Sequence, residues 1–320
     1  MTELRTTASI KAHAVGTDRV QSILKFYDSD NPGSKAQIAR ILLAGRLGGT
    51  GRIVILPIDQ GVEHGPAKSF ATNPPAYDPL YFFDLAIDAG LSALAAPLGL
   101  LECGAGTYAG RIPLILKLNN GNSLYPSSQF RDQAVTGSVK DALRLGCAAI
   151  GLTLYPGSEK SYDMIEEARE LISEAKSVGL ATVVWAYPRG GDLNAVGESA
   201  LDVAAYSAQI AAQLGAHILK LKLSSPAFFY PELKTLYDKN NIPYATVTDR
   251  VRHIMQSALG GRRIVIFSGG PQKNDTEVLD DARGIREGGG YGSIIGRNCF
   301  QRPRKDALEL LDKMIKVYSD

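Results

Sequence analysis

From about residue 52 onward the chain repeats one grammar, in which short β-branched apolar runs alternate with longer stretches of helical periodicity. Eight candidate strands follow from it: Arg52–Ile58, Leu91–Ala96, Pro113–Lys117, Ala148–Leu154, Ala181–Ala186, Ile218–Lys222, Arg263–Phe267 and Ser293–Gly296. The stretches between them read as amphipathic helices. In SEKSYDMIEEARELISEAKSVGL, for example, Ile165, Ala168, Leu171, Ile172 and Ala175 fall on one stripe, and acids and lysines fall on another. Several of these stretches end in glycine immediately before the next strand, as at Ala89-Gly90, Leu145-Gly146, Val178-Gly179 and Leu214-Gly215. That pattern predicts a left-handed helix terminus feeding a short loop.

Eight consecutive βα units favour a closed sheet. An open doubly wound sheet usually stops at fewer strands or carries a G-x-G-x-x-G turn after the first strand, and none stands here. The expected fold class is α/β, a (β/α)8 TIM barrel over residues 51–320. Residues 1–50 are expected to form a helical extension serving as a cap or an oligomer contact. A chain of 320 residues that is 45% hydrophobic can fill such a core.

A formal charge of only +2, spread along the chain, advertises no face for nucleic acid or anionic lipid. Cys103, Cys147 and Cys299 form an odd set without C-x-x-C spacing, which suits a reducing, cytoplasmic compartment. The polar segment MTELRTTASIKAHAV lacks the apolar run of an export signal or a spanning helix, so no membrane partner is expected. His13, His64, His217 and His253 offer no metal-ligand spacing, and no metal site is expected.

A barrel of this kind does its chemistry at the C-terminal ends of its strands. The first strand ends in LPIDQGVEHGP, which places Asp59 where an apolar strand emerges. The plainer alternative is that Asp59 caps a turn and Glu63 is solvated; His64 is as compatible with a loop hydrogen bond as with catalysis. The third strand ends at Lys117. In Ile218-Leu219-Lys220-Leu221-Lys222-Leu223, alternation puts both lysines on one face and the leucines on the other. Helices cover the outside of a barrel, so the lysines are expected inside, toward the mouth. Desolvation and a neighbouring cation both disfavour a charged amine, and that is how a lysine becomes a nucleophile. The alternative is that the two lysines pair with interior acids or hold an anion without reacting.

The fifth strand, VVWAYPRGG, points Trp185 and Tyr187 the same way. Tyr187 can serve as a proton carrier at the mouth and Trp185 as a pocket wall, unless both simply fill the core. The seventh and eighth strands end in FSGG and IGRN. Their approachable amides, a serine hydroxyl and a guanidinium match a phosphate dianion: Ser268, Gly269, Gly270, Gly296 and Arg297.

With these residues in view, the chain resembles the archaeal-type class I fructose-bisphosphate aldolase family, particularly its bacterial branch, over nearly its whole length. The motifs that carry the resemblance are LPIDQGVEHGP, RIPLILKLN, VVWAYPRG, GAHILK, FSGG and GSIIGRN. The resemblance implies a metal-independent lyase that needs no cofactor and cleaves fructose 1,6-bisphosphate reversibly to dihydroxyacetone phosphate and glyceraldehyde 3-phosphate. Such an enzyme works in glycolysis or gluconeogenesis, as a homo-oligomer. By motif, Lys220 forms the Schiff base and Tyr187 transfers the proton, with Lys222 the neighbouring cation. Asp59 serves the substrate hydroxyls and proton chemistry, including the C4 hydroxyl directly or through a water. Lys117 and Trp185 line the pocket, and Ser268, Gly269, Gly270, Gly296 and Arg297 hold phosphate. Gln60 stands where many archaeal members have histidine, and His217 where an acid is common; either could shift substrate preference. Two other functions remain compatible with the sequence. One is a Schiff-base transaldolase or lyase acting on another phosphorylated ketose, and the other is a non-catalytic phosphosugar-binding barrel.

Overall fold

A computed structural model describes residues 17–125, 131–269 and 273–320. Gly270 and His13 lie outside the described residues. Eight parallel strands close into a barrel: β1 (Ile53–Pro57), β2 (Ala93–Pro97), β3 (Leu114–Lys117), β4 (Ala149–Leu154), β5 (Ala181–Ala186), β6 (Ile218–Lys222), β7 (Ile264–Ser268) and β8 (Gly292–Ile294). Each pairs with its neighbours in sequence, and β8 returns to β1 through Ile53 opposite Gly292. All eight strands read from the sequence are present, β5 and β6 with the same ends and the others with ends shifted by at most two residues. The last ends two residues early, because Ile295 and Gly296 already turn outward toward the short helix Arg297–Phe300.

Helices cover the outside. Ser161–Ser177 buries Met164, Ala168, Ile172 and Ala175, while Ile165 and Leu171 flank that stripe half-exposed. Gly90, Gly146, Gly179 and Gly215 take φ values of 68°, 64°, 81° and 85°, the left-handed geometry that lets each helix stop and the next strand begin at once. Between β3 and β4 the chain makes an excursion, in which Asn119–Asn120 and Ala134–Val135 form a small antiparallel ribbon beside the barrel mouth.

The N-terminal helices, Asp18–Leu24 and Pro32–Leu42, lie under the opposite end of the barrel. The buried Tyr27 hydroxyl donates to the His217 carbonyl at 2.7 Å and accepts from the Ile264 amide at 3.1 Å, just where β6 and β7 begin. Ser34 donates to the Leu180 carbonyl at 3.1 Å, immediately before β5. Val20, Ile23, Ile38 and Ile41 are fully buried in the same hydrophobic core as the strands. The described part of the extension, residues 17–50, therefore packs against the barrel floor, at the end opposite the mouth. Among the described residues, no helix is long and apolar enough to cross a membrane.

Candidate active site

Strand register determines which side chains meet inside the barrel, because parallel partners point to the same side. Thr153 of β4 lies opposite Trp185 of β5, and Trp185 lies opposite Lys220 of β6. One step nearer the mouth, Lys222 lies opposite Ser268 of β7. The alternation expected on β6 therefore holds: Leu219 and Leu221 are buried under helices, and the lysines face inward.

Trp185 is buried, and its ring takes the space left by Gly151, where a Cβ would come within 2.5 Å of the indole. Lys220 Nζ stands 4.9 Å from the Trp185 ring centroid and 5.2 Å from that of Tyr187. It is 4% exposed and forms no ion pair with any carboxylate among the described residues. Lys222 Nζ lies 5.5 Å from the Tyr187 ring, so the phenol stands beside both lysines. Its hydroxyl is 3.3 Å from Ser268 Oγ, at hydrogen-bond distance. Burial lowers the pKa of Lys222, and the nearby cations Arg189, Arg297 and Lys220 lower it further, against the pull of Glu198.

Lys117, at the end of β3, is also fully enclosed. Its Nζ donates to the Asn119 carbonyl and, at 3.3 Å, to Asn119 Oδ1, and lies 5.7 Å from the Trp185 ring. Burial pushes its pKa down to about 8, with Asp59 and Glu63 opposing and Lys220 reinforcing the shift. Asp59 is 4% exposed and stands at the start of the short helix Gln60–His64, but its side chain makes no capping bond. The capping explanation for this carboxylate therefore fails. Asp59, Tyr187, Lys220, Lys222, Ser268, Gly269, Gly296 and Arg297 all line one cavity of about 90 Å³ at the strand ends. A Cβ at Gly296 would lie 2.8 Å from the end of the Gln60 side chain and 3.2 Å from the Pro57 carbonyl oxygen, so the glycine lets this turn run close against the end of β1.

A family model described as DeoC/LacD family aldolase matches residues 53–302. This chain is a DeoC/LacD family aldolase. The aldolase is 36% identical over 296 residues to the probable fructose-bisphosphate aldolase class 1 of Chlamydia trachomatis, covering 88% of this chain and 84% of the relative. It is also 36% identical over 260 residues to the fructose-bisphosphate aldolase class 1 of Thermoproteus tenax, covering 81% and 86%. Among solved structures, it resembles an archaeal fructose-1,6-bisphosphate aldolase whose catalytic lysine is covalently bound to the carbinolamine intermediate of the substrate. That match has a TM-score of 0.73 and 32% identity, covering 89% of this chain and 99% of the other.

The aldolase's site also holds residues that sequence reasoning passed over. Glu63, solvated in the plainer alternative and given no role in the other, has a side chain only 24% exposed and lines the same cavity. Arg189, read only as part of a loop, packs over the Tyr155 ring at 5.5 Å, and its Nε is buried without a hydrogen-bond partner among the described residues. Both lie just beyond strand ends, where alternation no longer says which way a side chain points. His217 is not at the mouth. It is fully buried in the barrel floor, with Nε2 3.2 Å from Asp30 Oδ2. Gln60 lines the cavity, and its Oε1 is buried without a hydrogen-bond partner among the described residues.

Proposed function

We propose that this aldolase cleaves fructose 1,6-bisphosphate reversibly by a class I mechanism, with Lys220 as the Schiff-base nucleophile. The observation that carries the reading is the position of the Lys220 amine. It is buried, makes no carboxylate ion pair among the described residues and is flanked by Tyr187, in one cavity with Ser268, Gly269, Gly296 and Arg297. The relatives' names and the carbinolamine held by the archaeal enzyme's lysine support the same substrate and chemistry.

In this reading Lys220 adds to the C2 ketone, and loss of water leaves a cationic iminium that can accept electrons. The C4 hydroxyl gives up its proton on the carboxylate side of the cavity, where Asp59 engages the sugar hydroxyls. The C3–C4 bond then breaks toward the iminium, releasing glyceraldehyde 3-phosphate and leaving an enamine. Tyr187 protonates C3, and hydrolysis frees dihydroxyacetone phosphate and the lysine. Lys117 and Trp185 wall the pocket, and Lys222 adds positive charge beside Ser268. Ser268, Gly269, Gly270, Gly296 and Arg297 hold the C1 phosphate, which keeps the reacting carbons aligned through every step. The composition and family further support a cytoplasmic homo-oligomer serving glycolysis or gluconeogenesis, independent of metal.

A coupled cleavage assay in excess chelator tests the class. Activity should survive chelation and fall at least about 1,000-fold in Lys220→Ala. Loss of activity on chelation, or retained activity in the variant, would contradict the mechanism.

A further inference from the structure

The cavity beside Lys220 adjoins a larger one of about 310 Å³, walled by the excursion between β3 and β4. The two cavities have only Glu63, His64 and Arg189 in common. A ketose with one phosphate at Ser268, Gly296 and Arg297 and its carbonyl at Lys220 has to send its far half across that junction. A second phosphate then comes to the outer side, where Arg189 makes no ion pair with a carboxylate among the described residues.

Two other elements of the fold hold this guanidinium. Tyr155, just beyond β4, places its ring against Arg189, with the guanidinium carbon 5.5 Å from the ring centroid. An arginine held by an aromatic face, rather than by protein acceptors, keeps its N–H donors for phosphate oxygens. The Tyr155 ring is tethered in turn by its hydroxyl, which accepts from Gln133 Nε2 at 2.7 Å. Gln133 belongs to the excursion, directly before the ribbon strand Ala134–Val135, and is buried. Gly121, just after the partner strand Asn119–Asn120, leaves room for it, since a Cβ there would come within 2.8 Å of Gln133 Nε2. The Ser158 hydroxyl donates to the Arg131 carbonyl, which ties the same end of the excursion to the loop beyond β4. Burial pushes the Tyr155 phenol up to about 12 against the pull of Arg189, so the ring stays neutral at physiological pH.

We infer that Tyr155 and Gln133 are positioning residues that set Arg189 for the second phosphate of a ketose bisphosphate, so that the excursion determines the preference for two phosphates over one. This inference rests on the aldolase reading and deepens it. Tyr155 and Gln133 line the outer cavity and not the inner one, so their influence falls on the far end of the substrate and not on the bond made at Lys220.

The test compares fructose 1,6-bisphosphate with fructose 1-phosphate, which lacks only the far phosphate. The wild-type protein should favour the bisphosphate in kcat/KM by about tenfold or more. Gln133→Ala and Tyr155→Phe, which break the tether, should each lower kcat/KM for the bisphosphate about fivefold or more, and Tyr155→Leu, which removes the ring, about tenfold or more, in every case through KM. For fructose 1-phosphate the same variants should stay within about threefold of wild type. A parallel fall on both substrates, a fall in kcat with KM unchanged, an undiminished preference for the bisphosphate, or a wild type indifferent to the far phosphate overturns the inference. Should Tyr155→Leu fail to fold, the two milder variants decide it. Failure of the wild-type protein to cleave either ketose, or to be trapped by borohydride with dihydroxyacetone phosphate, would instead overturn the underlying aldolase reading.

Discussion

Tyr187 presents one phenol to two strands, with its hydroxyl 3.3 Å from Ser268 Oγ and its ring beside Lys220 and Lys222. Removing only the hydroxyl in Tyr187→Phe leaves that packing in place and takes away the proton carrier. The variant should still be trapped by borohydride with dihydroxyacetone phosphate, but should exchange the C3 proton with deuterated solvent at least about 100-fold more slowly, followed by NMR. Exchange at the wild-type rate would remove Tyr187 from that role. At this scale the sequence was informative wherever a side chain belongs to a strand. Counting by two along VVWAY and ILKLK was enough to bring Trp185, Tyr187, Lys220 and Lys222 to one interior. It was uninformative one turn later, because Glu63 and Arg189 are aimed by loop geometry and by contacts with residues distant in the chain.

The N-terminal helices are joined to the barrel floor by a charged cluster that local sequence could not reveal, since its members are Asp30, Lys176 and His217. Asp30 Oδ1 pairs with Lys176 at 2.5 Å, and His217 Nδ1 accepts from the Thr182 amide at 2.9 Å, so the proton of neutral His217 sits on Nε2 and points at Asp30. Burial alone would raise the Asp30 pKa, but hydrogen bonds from His217 and Lys176 outweigh it and hold the carboxyl at about 2. Burial also lowers the His217 pKa below its ordinary value. Both groups bind protons more readily in the unfolded chain, so both stabilise the fold at neutral pH and lose that contribution as pH falls. The His217 contribution fades below about pH 6.5, and the Asp30 contribution between about pH 4 and pH 2. Urea midpoints should therefore drop on acidification. Asp30→Asn should be less stable than wild type at pH 7 and should show a shallower pH dependence between about pH 4 and pH 2. Equal pH dependence in the two proteins would show that the cluster does not bear on folding. The extension had two sequence-based descriptions, as a cap or as an oligomer contact. The surface covered by Tyr27, Ser34 and Asp30 is the barrel's own floor.

For the whole molecule, barrel closure is what turns scattered motifs into one site. Lys117, Tyr187, Lys220, Ser268 and Arg297 span 181 positions of sequence, yet four of them, Tyr187, Lys220, Ser268 and Arg297, line a single cavity, and Lys117 Nζ lies 5.7 Å from the ring of Trp185, against which Lys220 also packs. The eight-fold βα repetition made this architecture legible before any contact was known, because only a closed sheet gives eight doubly covered strands a neighbour on each side. The cavity beyond Glu63 was not legible, since it depends on how the excursion between β3 and β4 folds back over the mouth. The central claim is that one amine in this enclosure bonds to a phosphorylated ketone. It is tested most directly by reducing the protein with borohydride in the presence of fructose 1,6-bisphosphate or dihydroxyacetone phosphate and mapping the modified peptide. The account predicts one ketose adduct per chain, on Lys220 and absent from Lys220→Ala; no adduct, or an adduct on Lys117, Lys222 or a surface lysine with Lys220 unmodified, would contradict it.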